Sequence, residues 1–156
     1  MKKIAVLMSV LISVFAFSGM AFSEVYVVEN FEGKQPMVLK KGAGAMANVP
    51  ELAKQPCVGC AYGLLHNSVG TNLHFYRWTV EPKGKVPKHE GSSNYFCYIE
   101  KGGGVIGNVN DKDQTVSKID YKAGDLIVFR PFTMHYWEGG EEKTECMCVE
   151  QPTPGY

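Results

Sequence analysis

From Asn72 onward the chain repeats one pattern: a short apolar or aromatic run, then a turn built from Gly, Pro, Asn or Asp. Leu73 to Val80 is closed by Pro82 and Gly84, and Tyr95 to Glu100 is stopped by Gly102-Gly103-Gly104. Val105 to Val109 leads into the turn Asn110-Asp111-Lys112-Asp113, and Thr115 to Tyr121 into Ala123-Gly124-Asp125. Leu126 to Phe129 ends before Pro131, and His135 to Glu138 and Thr144 to Glu150 complete the series. Short runs at regular spacing, each closed by residues that favour turns, predict strands of an all-β sandwich or barrel.

Upstream the signals differ. Lys2 and Lys3 precede an apolar stretch from Ile4 to Phe17, and Ala21 and Ser23 supply small residues before Glu24. A basic start, a short apolar core and a small-residue site are the layout of a secretory signal peptide. The apolar run is shorter than the roughly 20 residues a spanning helix needs. The sequence therefore predicts a signal peptide over 1–23, cleavage before Glu24, and a periplasmic or secreted product with no membrane association after cleavage. Residues 24–71 read as an N-terminal extension and 72–156 as the barrel. Within the extension, Val25 to Val28 and Met37 to Leu39 are strand candidates. Lys41 to Asn48 reads as a loop, or as the lead into a short helix ending near Pro56.

Without Lys2 and Lys3 the chain carries 14 basic and 16 acidic residues, a net −2 before histidine. No basic stripe is present, so nucleic acid is not an expected partner. Five cysteines remain, Cys57, Cys60, Cys97, Cys146 and Cys148. An exported chain meets an oxidising space where disulfides persist, and an odd count leaves at least one thiol unpaired in a monomer. Cys57-Val-Gly-Cys60 is read first as a local disulfide, with a redox pair or half a metal site as alternatives. Cys146 and Cys148, two apart on a strand, share a face and are poorly placed to bond each other.

Two stretches resemble the cupin superfamily. Pro82-Lys83-Gly84-Lys85-Val86-Pro87-Lys88-His89, followed by Tyr98-Ile99-Glu100-Lys101-Gly102, is similar to the first cupin motif. Gly124-Asp125-Leu126-Ile127-Val128-Phe129-Arg130-Pro131-Phe132-Thr133-Met134-His135 is similar to the second, with turn, apolar strand, proline and histidine all in place. The resemblance covers roughly residues 72–150 and implies a small jelly-roll barrel. It also implies that His89 and His135 face inward, where the family binds a divalent metal such as Fe, Zn, Cu, Mn or Ni. The position of the family's second histidine falls on Gly91. That of its glutamate falls on Tyr95, or on Asn94 if the loop shifts by one. Two imidazoles fall short of the three or four protein donors such ions favour.

Cys97 lies two residues beyond Tyr95 and shares its strand face. It is a candidate third metal ligand beside His89 and His135, or a small buried hydrophobe. His74 shares a face with Tyr76, Trp78 and Val80, as a pocket wall or as core. Tyr95, His74 and Arg130 are the candidate ligand-binding residues. Arg130 and Lys88 flank the two histidines, either to attract an anion or as solvated strand residues.

Three functions remain open. The first is an exported protein that binds a small molecule in its barrel, with or without a divalent metal. The second is a metal-dependent enzyme, a dioxygenase, isomerase or lyase. The third is a disulfide-linked redox or structural protein, suggested by Cys57 and Cys60. The resemblance adds a homodimer as a further expectation.

Overall fold

The computed structural model describes residues 24–29, 37–42, 45–68 and 72–154. The expected signal peptide lies outside the described residues. Among them no helix is long and apolar enough to cross a membrane, and all regular structure is strand. The all-β expectation holds.

Two short N-terminal pairs stand apart from the main sheet. β1 (Glu24–Glu29) pairs antiparallel with β2 (Met37–Gly42), and β4 (Glu51–Leu52) pairs with β5 (Gln55–Pro56). Among the described residues no helix forms before Pro56; residues 51–56 are the β4–β5 hairpin, turned through Ala53 and Lys54 at positive φ. The main sheet contains β3 (Ala47–Asn48), β6 (Val58–Ser68), β7 (Leu73–His89), β8 (Ser93–Lys101) and β9 (Gly103–Val109). It continues through β10 (Thr115–Lys122), β11 (Leu126–Phe129), β12 (His135–Gly139) and β13 (Thr144–Pro152). Seven strands follow the order β10-β9-β12-β7-β13-β8-β11, with β6 paired to β7 and β3 to β6. The sheet curls into a half-barrel. It takes in β6 and β3, so the barrel sheet begins well before residue 72.

β7 explains the curl. The sequence predicts that this strand ends at Pro82 and Gly84, whereas it bends there and continues to His89. Its first half pairs with β13 from Val80↔Thr144 to His74↔Glu150. Its second half pairs with β12, from Lys85↔Glu138 to His89↔His135. Against β6 the register jumps from Cys60↔Val80 to Val58↔Lys85, so Glu81-Pro82-Lys83-Gly84 is the extra length of the corner. Pro82 lacks an N–H to leave unpaired at such a bend. Lys83 turns the chain at φ 56° and its N–H donates to the Gly140 carbonyl at 2.9 Å. A Cβ on Gly84 would meet the Val58 carbonyl oxygen at 2.7 Å, so the corner packs backbone on backbone.

Alternation along the strands sets the interior. Cys97 and Ile99 of β8, Ile127 and Phe129 of β11, Trp137 of β12 and Cys146 and Cys148 of β13 are buried. With Val80, Val86, Ile106 and Tyr121 they form a single core cluster. Burying one such aliphatic side chain contributes about 1.5–3 kcal/mol.

Candidate functional site

The two motif histidines meet. His89 and His135 are directly opposite in register, at the end of the β7–β12 pairing, and their ring centroids lie 4.3 Å apart. A bulge places them: the register slips between His135 and Trp137, so β7 spends an extra residue in the Pro87-Lys88 region. Bulges bend a strand and re-aim its side chains. His89 Nδ1 lies 2.8 Å from the Pro87 carbonyl oxygen, and His135 Nδ1 lies 2.8 Å from that of Thr133. A carbonyl only accepts, so in both rings Nδ1 carries the proton and donates. The Nε2 of each neutral ring is left with its lone pair.

Packing fixes both rings further. Phe129 stacks on His135 with centroids 4.0 Å apart and planes at 21°. Trp137 packs beside Phe129, and Tyr121 meets Trp137 edge-on. The loop after β11 is tied across the site by the Phe132 N–H, which donates to the Gly91 carbonyl at 2.7 Å. Burial disfavours the charged form of an imidazole. It lowers the pKa of His135 to about 4, helped by neighbouring His89, and it lowers that of His89 as well. Both rings are neutral at physiological pH.

A cavity of about 390 Å³ opens against this pair. Its walls are largely aromatic: Tyr62, Tyr76, Trp78, Tyr95, Phe129 and Trp137, with Val49 and Leu52 contributed by the segment around β4. Glu150 also lines the cavity, in register with both His74 and Tyr95. Its Oε1 accepts from Ser93 Oγ at 2.8 Å and from the Tyr95 hydroxyl at 3.1 Å, while Oε2 lies 3.3 Å from His74 Nδ1. The Tyr95 and Tyr76 hydroxyls are pushed up in pKa by burial first and then by neighbouring charge, so both stay protonated.

Gly91 and Tyr95, the two departures from the metal motif, turn out to be coupled. A Cβ built on Gly91 would fall 2.7 Å from Tyr95 Cε2 and 3.0 Å from its hydroxyl oxygen. The tyrosine ring thus occupies the space into which a side chain at 91 would project, and its hydrogen bond to Glu150 holds it there. Among the described residues no three His, Cys, Asp or Glu side chains are placed to hold a metal ion. The donor set at this site does not by itself fit the family's metal.

Of the residues picked out in the sequence, His89, His135, Tyr95, His74 and Cys97 all line the cavity. Arg130 does not; it is exposed, 3.4 Å from Asn94 Oδ1. Lys88 is bound instead to Asp113, at 2.8 Å. The role of Cys97 as a thiolate ligand is corrected, because Cys97 is joined to Cys148 in a disulfide across the β8–β13 pair. The Cys57–Cys60 disulfide is corrected too. Both are free thiols, as is Cys146. Cys146 forms no disulfide with Cys148, as expected for same-face neighbours on one strand; their sulfurs lie in hydrogen-bond contact at 3.7 Å. Burial raises the thiol of Cys60, and that of Cys146, to about 12, which keeps both protonated and unreactive.

Glu150 and Tyr76 are the site residues that motif reasoning did not single out. Tyr76 was already on the His74 face. Glu150 lies two residues past Cys148, and its place in the cavity becomes visible only when β13 is set against β7 and β8.

No family model matches the chain, and no curated protein matches it. Solved structures do. The chain is similar to a cupin 2 conserved barrel domain protein from Rhodopseudomonas palustris, at 17% identity and TM-score 0.60, covering 73% of this chain and 74% of that one. It is similar to the polyketide cyclase RemF of Streptomyces resistomycificus, at 15% identity and TM-score 0.56, over 69% and 72% of the two chains. It is also similar to oxalate decarboxylase of Bacillus subtilis, described with Mn(II) centres, at 19% identity and TM-score 0.54, over 64% of this chain and 27% of that one. The chain has the cupin fold.

Proposed function

We propose that this is an exported cupin-domain protein that holds a small molecule inside its barrel. The observation that carries the reading is the convergence of His89 and His135 on one aromatic-walled cavity of about 390 Å³. A concave, mostly apolar space with a few fixed polar groups is the usual form of a small-molecule site. The volume falls within the roughly 300–1,000 Å³ common for such sites. Export rests on the layout of residues 1–23. Native mass spectrometry of the protein recovered from its own cell fraction tests both parts. The expected species begins at Glu24 or within a few residues and carries an added small-molecule mass that disappears on denaturation. A chain that retains Met1 removes the export half, and a ligand-free chain that takes up no compound removes the binding half.

A second reading, a metal-dependent enzyme, is favoured by the two adjacent imidazoles with free Nε2 atoms. Elemental analysis of the same sample separates it: stoichiometric Fe, Mn, Zn, Cu or Ni that is lost in His89→Ala supports a metal centre, and its absence removes it.

A further inference from the structure

The two histidines offer the cavity acceptors only. Each histidine commits its Nδ1–H to a backbone carbonyl and leaves only the Nε2 lone pair for a ligand. Glu150 is a carboxylate, whose oxygens accept. No lysine or arginine lines the cavity among the described residues, whereas two carboxylates, Glu90 and Glu150, do. An anion entering here would meet lone pairs and negative charge with no lysine or arginine to offset its desolvation. A molecule that donates hydrogen bonds would meet acceptors already aimed.

The walls narrow the class further. Six aromatic side chains surround those acceptors, and ring faces favour flat partners in offset or edge-on contact. The hydroxyls of Tyr62 and Tyr76 and the indole N–H groups of Trp78 and Trp137 make no hydrogen bond to another described residue and are the donors the walls offer. A sugar or polyol brings a hydroxyl on nearly every carbon, and most would find no partner here. A neutral aromatic ring with one or two hydroxyls matches both the walls and the acceptor count. A cavity of about 150 Å³ suffices for benzene, so one of about 390 Å³ has room for one or two fused rings.

Building on the small-molecule reading above, we propose that the ligand is a neutral phenol- or catechol-type compound. Its hydroxyls donate directly to Nε2 of His89 and His135, without an intervening metal.

Both tryptophans of the chain, Trp78 and Trp137, line this cavity, so intrinsic fluorescence reports its occupancy. The test titrates the purified full-length protein, in EDTA, with a matched set: 4-methylphenol, 4-methylcatechol, toluene, 4-methylbenzoate and myo-inositol. Calorimetry backs the fluorescence readout. One hydrogen bond to a neutral acceptor is worth about tenfold in affinity. The expected result is that 4-methylphenol binds at least tenfold tighter than toluene, that 4-methylcatechol matches or exceeds it, and that 4-methylbenzoate and inositol are weakest. His135→Phe and His89→Phe should each reduce the preference for 4-methylphenol over toluene while toluene binding persists. His89→Gln, which keeps an acceptor, should restore part of it if His89→Phe does not fold. Three results overturn the proposal while leaving the small-molecule reading in place: 4-methylbenzoate binding as well as the phenol, inositol binding best, or toluene and phenol binding equally. If no member of the set binds, the phenol class and the binding role of the cavity fail together.

Discussion

At the scale of single residues the site turns on Gly91 and Tyr95. The family resemblance makes each look like a lost metal ligand. In the structure they are one unit, because the tyrosine ring lies where a Gly91 side chain would be. Restoring only the missing histidine cannot rebuild a metal site, since the new side chain and the Tyr95 ring claim the same space. Gly91→Ala should push the Tyr95 ring aside and break its bond to Glu150, at a cost of about 1 kcal/mol in urea denaturation. Tyr95→Ala removes the obstacle, so the double variant should cost clearly less than the two single changes added together. Strict additivity would mean that the two positions are independent. Gly104 is the contrast, since a Cβ there would meet the Glu138 backbone carbonyl. Backbone cannot swing away as a ring tip can, so Gly104→Ala should cost several times more than Gly91→Ala by the same measurement. None of this was legible in the sequence, where Gly91 and Tyr95 are two separate substitutions. Their contact depends on how the chain reverses between β7 and β8.

At the scale of elements, the strands from β8 to β13 lie close to where alternation and turn residues predict them. Leu126–Phe129 matches to the residue, and the others extend by one or two residues at their ends. The short strands β3, β4 and β5 escaped, as did β6 and the full length of β7. β6 carries Gly59 and Gly63, which weaken a strand signal, and its pairing to β7 is what makes it a strand. β7 runs through Pro82 and Gly84, both read as stops, because the proline sits at the corner where the strand changes partners. The disulfide escaped for a related reason. Cys97 and Cys148 become opposite only through the β8–β13 register, 51 residues apart in sequence, whereas Cys57 and Cys60 attract notice by being adjacent. A cross-link closing a loop of that length contributes about 4 kcal/mol in the chain-entropy picture. Cys97→Ala/Cys148→Ala should therefore lower the urea-denaturation free energy by roughly 2–4 kcal/mol. Non-reducing peptide maps should show Cys97 joined to Cys148, with Cys60 and Cys146 alkylated only after unfolding. A Cys57–Cys60 bridge in those maps would contradict the structure.

At the scale of the whole molecule, the fold and the two histidines were legible, and the composition of the cavity was not. Motif spacing put His89 and His135 on inward positions, and the barrel brings them together. The cavity wall is assembled from β4, β6, β7, β8, β11, β12 and β13, and no local pattern in one segment states which residues will face one another. Burying two neutral imidazoles has a consequence for the molecule as a whole. The folded pKa of His135, about 4, lies below the ordinary histidine value near 6.5, and His89 is shifted in the same direction. Between those values the unfolded chain binds protons that the folded chain does not, so stability falls as the pH drops. Stability should be level with respect to these groups above about pH 6.5 and should decline from there toward pH 4, by about 3 kcal/mol for His135. His135→Phe should flatten that decline. A stability profile already level from pH 7 to 4 in the native sequence would place the two rings in water.

The account rests on two neutral imidazoles, side by side, each protonated on Nδ1 and presenting Nε2 to the cavity. Nitrogen-15 NMR of the histidine side chains over a pH series observes this directly, and with only four histidines in the chain assignment by single substitution is practical. His89 and His135 should both show the Nδ1–H tautomer and should cross-relax with each other. Both should titrate below the ordinary histidine value, His135 near pH 4, and their Nε2 signals should move when 4-methylphenol is added. Two rings that titrate independently near pH 6.5, or that carry the proton on Nε2, would contradict it.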